Sequence, residues 1–250
     1  MYDVKLTESY FPAQGGPEPA PITIGDMLRA SAARTPNQAA LKELGYGGAV
    51  LRTWTYAELL ADAERLARAL ASRHAEGARV AAYANNIPEW VLLELGCALS
   101  GLTLVTVNPG LQKRELKYVL EQSRSEAIYY VVDFRGNPMQ AIADAVCDEI
   151  PAIRHRILLT DHAALYAGAD RGQLRSPKPS DPVQIQYTSG TTGFPKGAVL
   201  HHNGLVRNAI ETLARAGVVP GDVTVCFTPL FHTSGCGVGK GSDSGNVSVF

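Results

Sequence analysis

The sequence predicts an α/β fold in which layered parallel-sheet lobes carry flanking helices. The main observation is that short apolar runs alternate with amphipathic stretches of about a dozen residues from residue 79 onward. Strands and helices that alternate in this way predict parallel strand pairing with right-handed crossovers. The second observation is one long stretch, Tyr56 to His74, with a clear helical repeat of leucines. The length of 250 residues allows a substantial buried core.

The chain before this alternation predicts a helix and a hairpin. Ile24 to Ala33 reads as a short helix, and the segments 38–44 and 49–56 read as two strands joined by the glycines of "GYGG". Tyr56 to His74 is the clearest helix, because its leucines and Ala63 share one face. Thr55 can cap this helix, and Glu58 would complete a capping box.

The alternation itself predicts four further strands and three further helices. In chain order they are a strand at 79–84, a helix at 88–100, a strand at 102–107, a helix at 112–122, a strand at 127–132, a helix at 138–147 and a strand at 154–160.

Composition suggests how the chain is organised. Residues 1–21 are predicted to be a flexible leader and residues 22–177 a first α/β lobe. Residues 166–182 are rich in Gly, Pro, Asp and Arg, which predicts an exposed connection between two lobes. Residues 178–238 would form a hairpin and the start of a second α/β lobe. Residues 239–250 contain "GKGSDSGNVSV", which is mostly small and polar, and this composition predicts a disordered tail.

Charge and cysteine content narrow the function classes. The 23 Lys and Arg balance 24 Asp and Glu, which gives no electrostatic reason to expect nucleic acid or an anionic membrane as a partner. The longest uncharged run, Leu95 to Gln112, is interrupted by glycines and a proline, so no transmembrane segment is expected. The 4 cysteines form no Cys-x-x-Cys pair, which favours reduced residues of a cytoplasmic protein and no metal site.

One polar segment, "TSGTTGFPKG" at 188–197, follows the apolar strand pattern "DPVQIQ". Glycines let backbone N–H groups approach an anion closely, hydroxyls donate hydrogen bonds to phosphate oxygens, and Lys196 adds a positive charge. The segment is therefore either a polyphosphate-binding loop or only a flexible turn. It is not a Walker loop, because Pro195 precedes the lysine and Gly197 follows it. It is not a dinucleotide fingerprint either, because the residues after it read as a strand rather than a helix.

This segment resembles the signature of the AMP-forming adenylate-forming enzymes, which include acyl-CoA synthetases, luciferases and the adenylation domains of peptide synthetases. The matching residues are Thr188, Ser189, Gly190, Thr191, Thr192, Gly193, Pro195, Lys196 and Gly197. Three other segments are similar to the family as well: an Asn-x-Pro-Glu helix start at Asn86, an Asn-Pro pair at Asn108, and a Phe-His-x-x-Gly segment at Phe231. The resemblance runs from about residue 22 to Gly237.

The resemblance implies ATP-dependent conversion of a carboxylic acid, by preference a fatty acid, to an acyl-AMP and then to a thioester with coenzyme A. ATP, Mg²⁺ and coenzyme A would be the cofactors and co-substrates. Residues Thr188 to Gly193 would hold the β- and γ-phosphates, and Lys196 would neutralise charge on the leaving pyrophosphate. His232 would lie beside the acyl substrate, or else be a histidine packed at a strand end. His202 is expected to help start the next helix, together with Asn203.

The resemblance also implies what these 250 residues do not contain. The family's adenine-binding and ribose-binding segments and its catalytic lysine are absent from the printed sequence. We therefore expect the N-terminal part of a longer ligase, inactive by itself, with no catalytic residue and no metal ligand assigned here. The alternative is a non-catalytic polyphosphate-binding or interaction protein derived from such a ligase. The acyl chain length and the oligomeric state do not follow from the sequence.

Overall fold

The structure is a computed structural model that describes residues 20–45, 47–188, 195–219, 221–236 and, for the backbone alone, 247–249. The helices are α1 Ile24–Arg34, α2 Tyr56–Arg73, α3 Pro88–Ser100, α4 Lys113–Ser123, α5 Met139–Cys147, α6 His162–Leu165, α7 His202–Arg215 and α8 Thr233–Cys236. The strands are β1 Ala39–Leu44, β2 Val50–Thr55, β3 Arg79–Tyr83, β4 Thr103–Val107, β5 Ala127–Tyr130, β6 His155–Leu158, β7 Pro182–Tyr187, β8 Gly197–His201, β9 Val223–Val225 and β10 Val247–Val249.

A six-stranded sheet in the order β6-β5-β3-β4-β7-β8 forms the centre of the molecule. All neighbours in it are parallel except β8, which runs antiparallel to β7. Every residue of β4 and β5 is buried, as expected for parallel strands covered by helices on both faces. The predicted α/β class with parallel strands and flanking helices is confirmed.

The helix boundaries follow local signals that are visible in the sequence. Thr55 and Glu58 form the expected capping box at the start of α2, with each side chain bonded to the other residue's backbone N–H. Pro88 starts α3, and Gly101 ends it in the left-handed conformation with φ 67°. Helices α2 and α3 pack closely, because Gly96 of α3 leaves room for Leu66 of α2.

A second, four-stranded sheet has the order β2-β1-β10-β9. Its hairpin, β1 and β2, was expected, but β10 was not, because residues 239–250 were predicted to be disordered. Val247 to Val249 instead pair in parallel with β1 on one side and with β9 on the other. The alternation of valine with serine suits a strand, and two open strand edges offer it partners. The rest of that predicted tail lies outside the described residues.

The expected lobe boundary near residue 177 does not coincide with a boundary between the two sheets. Strands β7 and β8 extend the sheet that begins with β3, while β9 joins the other sheet. The division of the chain into lobes at 22–177 and 178–238 remains a prediction. Within the described ranges, no helix is long and apolar enough to cross a membrane.

A buried polar cluster lies at the amino ends of β5 and β6. The ring of His74 is 2.7 Å from a Glu126 carboxylate oxygen through Nδ1 and 3.2 Å from the Tyr129 hydroxyl through Nε2. Its centroid lies 5.0 Å from that of His155, edge to face. Burial lowers the pKa of His74 and outweighs the nearby Glu126 carboxylate, which raises it. The pKa of His155 is also lowered, chiefly by burial.

These two histidines should make the protein less stable in mild acid. A folded-state pKa below the ordinary 6.5 means that the unfolded chain binds protons more tightly. Their contribution is therefore complete above pH 6.5 and is lost as the pH falls through the lowered values. We expect urea unfolding to give a lower free energy at about pH 5.5 than at about pH 7.5, and His74→Gln to reduce this difference. A loss of stability in His74→Gln between these two pH values as large as that of the unmodified chain would contradict the assignment.

Candidate functional site

The glycine- and hydroxyl-rich segment joins β7 to β8 at the carboxyl edge of the six-stranded sheet, in an antiparallel hairpin. The Thr188 N–H donates to the Lys196 carbonyl at 3.0 Å, so these two residues close the base of the loop. Lys196 is exposed, and its ammonium is therefore open to an anionic ligand. The predicted phosphate-binding residues Ser189, Gly190, Thr191, Thr192 and Gly193 lie outside the described residues. The structure thus locates both ends of the loop.

Two tyrosines attach the loop base to α4. The Tyr187 hydroxyl donates to the Gln122 side-chain oxygen at 2.6 Å, and the Tyr118 hydroxyl donates to the Pro195 carbonyl at 3.0 Å. Burial raises the pKa of Tyr187 to about 12, so this hydroxyl remains a hydrogen-bond donor throughout the neutral range. Helix α4 therefore holds both strands of the hairpin where they enter the loop.

Gly197, the last residue of the predicted signature, has a steric reason to be glycine. A Cβ atom there would lie 2.9 Å from the Ile185 Cγ2 and 3.2 Å from the Tyr187 ring. We expect Gly197→Ala to lower the free energy of unfolding by about 1 kcal/mol, because the side chains can shift to make room. Urea unfolding measures this. Gly110→Ala is the control, because its Cβ would meet only the Asn108 side chain; equal losses for both variants would contradict the steric explanation.

A cavity of about 440 Å³ lies next to the loop base. Apolar side chains of β4, α4 and β8 form much of its wall, and polar groups from both chain halves face it: Thr106, Asn108, Gln186, Thr188, His232 and Thr233. This size and mixture suit a small organic ligand with one polar end. The cavity brings Thr188 and His232, both predicted from the sequence, to one site.

His232 occupies the mouth of this cavity on a short turn before α8. Its ring is exposed, and Nδ1 lies 3.0 Å from the Ser234 hydroxyl. The side chain is therefore not packed at a strand end, which was the alternative interpretation of this residue. We call residues 228–236 the His232 turn. Its internal bonds include His232 N–H to Pro229 O at 3.1 Å and Thr228 hydroxyl to Ser234 O at 3.1 Å.

Helix α7 begins at His202, as the sequence predicts. The residue that caps α7 is His201, whose Nδ1 accepts a hydrogen bond from the Gly204 N–H at 3.0 Å. The His202 ring is buried and its Nδ1 accepts from the Ile24 N–H at 3.3 Å. His202 is therefore the first residue of α7 and is followed by Asn203, as expected, and its side chain also attaches this helix to α1.

Sequence reasoning missed Asn137, which organises the loop after β4. Its side-chain amide donates to the Pro109 carbonyl at 2.7 Å and to the Tyr83 hydroxyl at 3.1 Å. The Tyr83 hydroxyl in turn donates to the Leu111 carbonyl at 2.6 Å. Asn137 follows a Gly in an ordinary turn pattern, and only the fold shows that its amide holds the loop that carries Leu111, a residue of the cavity wall.

The donor groups fit a polyphosphate better than a bare metal ion. An exposed ammonium and a threonine hydroxyl flank the loop, and such groups bind phosphate oxygens. In the described part of the chain, no group of three His, Cys, Asp or Glu side chains could hold a metal ion.

Comparison with known proteins connects this site to one family. The model for "AMP-binding enzyme" matches residues 28–239. The mitochondrial medium-chain acyl-CoA ligase ACSF2 of Danio rerio is 30% identical to this chain over an alignment 260 residues long. The alignment covers 92% of this chain and 42% of that protein. Its Rattus norvegicus counterpart is 32% identical over 216 residues, which cover 75% of this chain and 34% of that protein. The chain thus spans less than half the length of these curated relatives.

Solved structures agree with the sequence comparison. The N-terminal domain of FACL13 from Mycobacterium tuberculosis superposes with a TM-score of 0.78 at 28% identity, covering 91% of this chain and 57% of that one. O-succinylbenzoate coenzyme A synthetase (MenE) from Bacillus subtilis, in complex with ATP and magnesium ion, gives a TM-score of 0.75 at 25% identity. It covers 90% of this chain and 56% of that one. With a family model that spans most of its length and the matching fold around the loop, this chain belongs to the AMP-binding enzyme family.

Proposed function

We propose that this chain contributes the phosphate-binding loop and part of the acid-binding cavity of an AMP-forming acyl-CoA ligase. The observation that carries the proposal is that one cavity is lined by both His232 and Thr188, and the Thr188 N–H donates to the carbonyl of Lys196 at the loop base. A site that activates a carboxylic acid with ATP must hold a polyphosphate and an acyl group side by side. The relatives are named as acyl-CoA ligases, which supports the same reaction class here.

The proposed first step forms an acyl adenylate. A carboxylate oxygen of the acid attacks the α-phosphorus of ATP, and the bond from that phosphorus to the pyrophosphate breaks. Negative charge accumulates on the departing pyrophosphate, and the Lys196 ammonium together with the loop N–H and hydroxyl groups of Thr188 to Gly193 would stabilise it. Mg²⁺ bound to the phosphates would supply further charge neutralisation.

The proposed second step transfers the acyl group to a thiol. The sulfur of coenzyme A attacks the acyl carbonyl, and the bond between the carbonyl carbon and the AMP oxygen breaks with loss of the thiol proton. Adenylate is a far better leaving group than oxide, which is why the acid is activated first. We place the acyl chain in the cavity lined by Val107, Leu111 and Phe231, with His232 beside its polar end. A fatty acid is the substrate that this apolar wall suits best.

Measurement of AMP tests the proposal. AMP formation with ATP, Mg²⁺ and coenzyme A should require a carboxylic acid, and should depend on its chain length. Two proteins should be assayed: the 250-residue chain, and a protein of the relatives' full length that contains it. The second is needed because the sequence predicts that the shorter chain alone is inactive. Acid-dependent AMP formation by the longer protein supports the ligase. Binding of polyphosphate with no AMP from either protein would favour a non-catalytic binding protein.

A further inference from the structure

The His232 turn is held to the first half of the chain by one asparagine side chain. The Asn86 amide nitrogen donates to the Thr228 carbonyl at 2.9 Å, and its amide oxygen accepts from the Leu230 N–H at 2.9 Å. Both hydrogen-bonding ends of one side chain thus bind the main chain of the same short segment, 142 and 144 residues away in sequence. Both distances are good hydrogen-bond lengths.

Asn86 lies on a rigid support. It follows the central strand β3, all but the first residue of which is buried, and it precedes α3, which begins with a buried proline. Trp90 in the first turn of that helix is fully buried. A side chain that is held between a central strand and a packed helix has few alternative positions. Asn86 can therefore define the position of a segment that contacts it.

The segment that Asn86 holds has few apolar anchors of its own. Within the turn, Pro229 is exposed, and Thr228 and Phe231 are half-buried. Leu230 and Cys236 are buried, and the Cys236 sulfur lies 3.1 Å from the Gln186 side-chain nitrogen. The turn also has its own internal hydrogen bonds. It is thus a small preformed unit attached near its two ends, by Asn86 at one and by Cys236 at the other.

We propose that Asn86 is a positioning residue that sets where Phe231 and His232 lie at the mouth of the cavity, and thereby sets the affinity for the carboxylic acid. The predicted effect on acid affinity rests on the function proposed above. The attachment of the His232 turn by the two Asn86 hydrogen bonds, which we call the clamp, does not rest on it. The loop base at Thr188 and Lys196 does not depend on Asn86, because it is held by the β7–β8 hairpin and by α4. Loss of the clamp should therefore affect acid binding and leave phosphate binding intact.

Hydrogen exchange tests the clamp directly. The Leu230, His232 and Gly235 amides of Asn86→Ala should exchange about ten to a hundred times faster than in the unmodified chain, as expected for two lost hydrogen bonds. Amides of β3 and β4 should be unchanged. Asn86→Asp keeps the acceptor for the Leu230 N–H but loses the donor to Thr228, so its effect should be smaller. Asn85→Ala is the matched control, because among the described residues the Asn85 side chain donates one hydrogen bond, to the Asn86 carbonyl at 3.4 Å.

Calorimetric titrations test the consequence, with octanoate and magnesium tripolyphosphate as separate probes. Asn86→Ala should weaken octanoate binding by about tenfold or more and leave tripolyphosphate binding unchanged, and Asn86→Asp should recover part of the loss. Unchanged exchange in the His232 turn, or faster exchange throughout the chain in both Asn86 variants, would overturn the proposal. Equal loss of affinity for both probes would also overturn it. If neither the unmodified chain nor a protein of the relatives' full length that contains it binds octanoate, the proposed function fails, and the exchange result still decides the clamp.

Discussion

Replacement of Lys196 by alanine should weaken binding of Mg²⁺-ATP by about tenfold to a hundredfold. The ammonium is exposed at the base of the loop, and a charge-assisted hydrogen bond to a phosphate oxygen contributes about 1.5–3 kcal/mol. In a protein of the relatives' full length, the loss should be larger for the adenylation rate, because charge on pyrophosphate grows as it leaves. Affinity for the carboxylic acid should be nearly unchanged.

The matched control is Lys178→Ala, an exposed lysine on the connection before β7. It also removes one positive charge from the chain, so it shows how much of the loss of affinity comes from the change in net charge alone. Calorimetric titration with Mg²⁺-ATP measures affinity, and ATP–pyrophosphate exchange measures adenylation. Equal binding by Lys196→Ala and the unmodified chain would contradict the role assigned to this lysine.

Replacement of Gly235 by alanine should lower the free energy of unfolding by about 3 kcal/mol and displace the His232 turn. A Cβ atom at this position would lie 2.2 Å from the Pro229 carbonyl oxygen and 2.9 Å from the Leu230 nitrogen. Both are backbone atoms, so the chain itself must move, and such a clash costs more than one a side chain can relieve. The same substitution should weaken acid binding, because the cavity mouth moves with the turn.

Gly110→Ala again serves as the control, since a Cβ there meets one flexible side chain and no backbone atom. Urea unfolding gives the free energy, and an octanoate titration gives the affinity. An unchanged stability and an unchanged affinity in Gly235→Ala would show that the turn is not packed as described.

Much of the fold could be predicted because its signals are local. The capping box at Thr55, the proline and glycine at the two ends of α3, and the alternation of strands with helices each involve residues close in sequence. The prediction that the polar loop joins two strands is confirmed by the β7–β8 pairing. The α/β fold class, which is also confirmed, could be predicted because the alternation of strands with helices is a local pattern.

The features that were missed depend on contacts between distant segments. Strand β10 finds its partners in β1 and β9, and no local pattern specifies such a pairing. His202 and Asn137 act through buried hydrogen bonds whose partners lie on other elements. Asn86 belongs to the Asn-x-Pro-Glu pattern, but the pattern alone gives no indication that the asparagine binds residues 228 and 230.

The central claim is that the loop between β7 and β8 binds polyphosphate. The most direct test is a calorimetric titration of the chain with magnesium tripolyphosphate, which needs neither an adenine site nor turnover. We predict saturable binding at one site, weakened by Lys196→Ala and unaffected by Lys178→Ala, with affinity that falls as salt concentration rises. The absence of saturable binding, or equal binding by both lysine variants, would contradict the account.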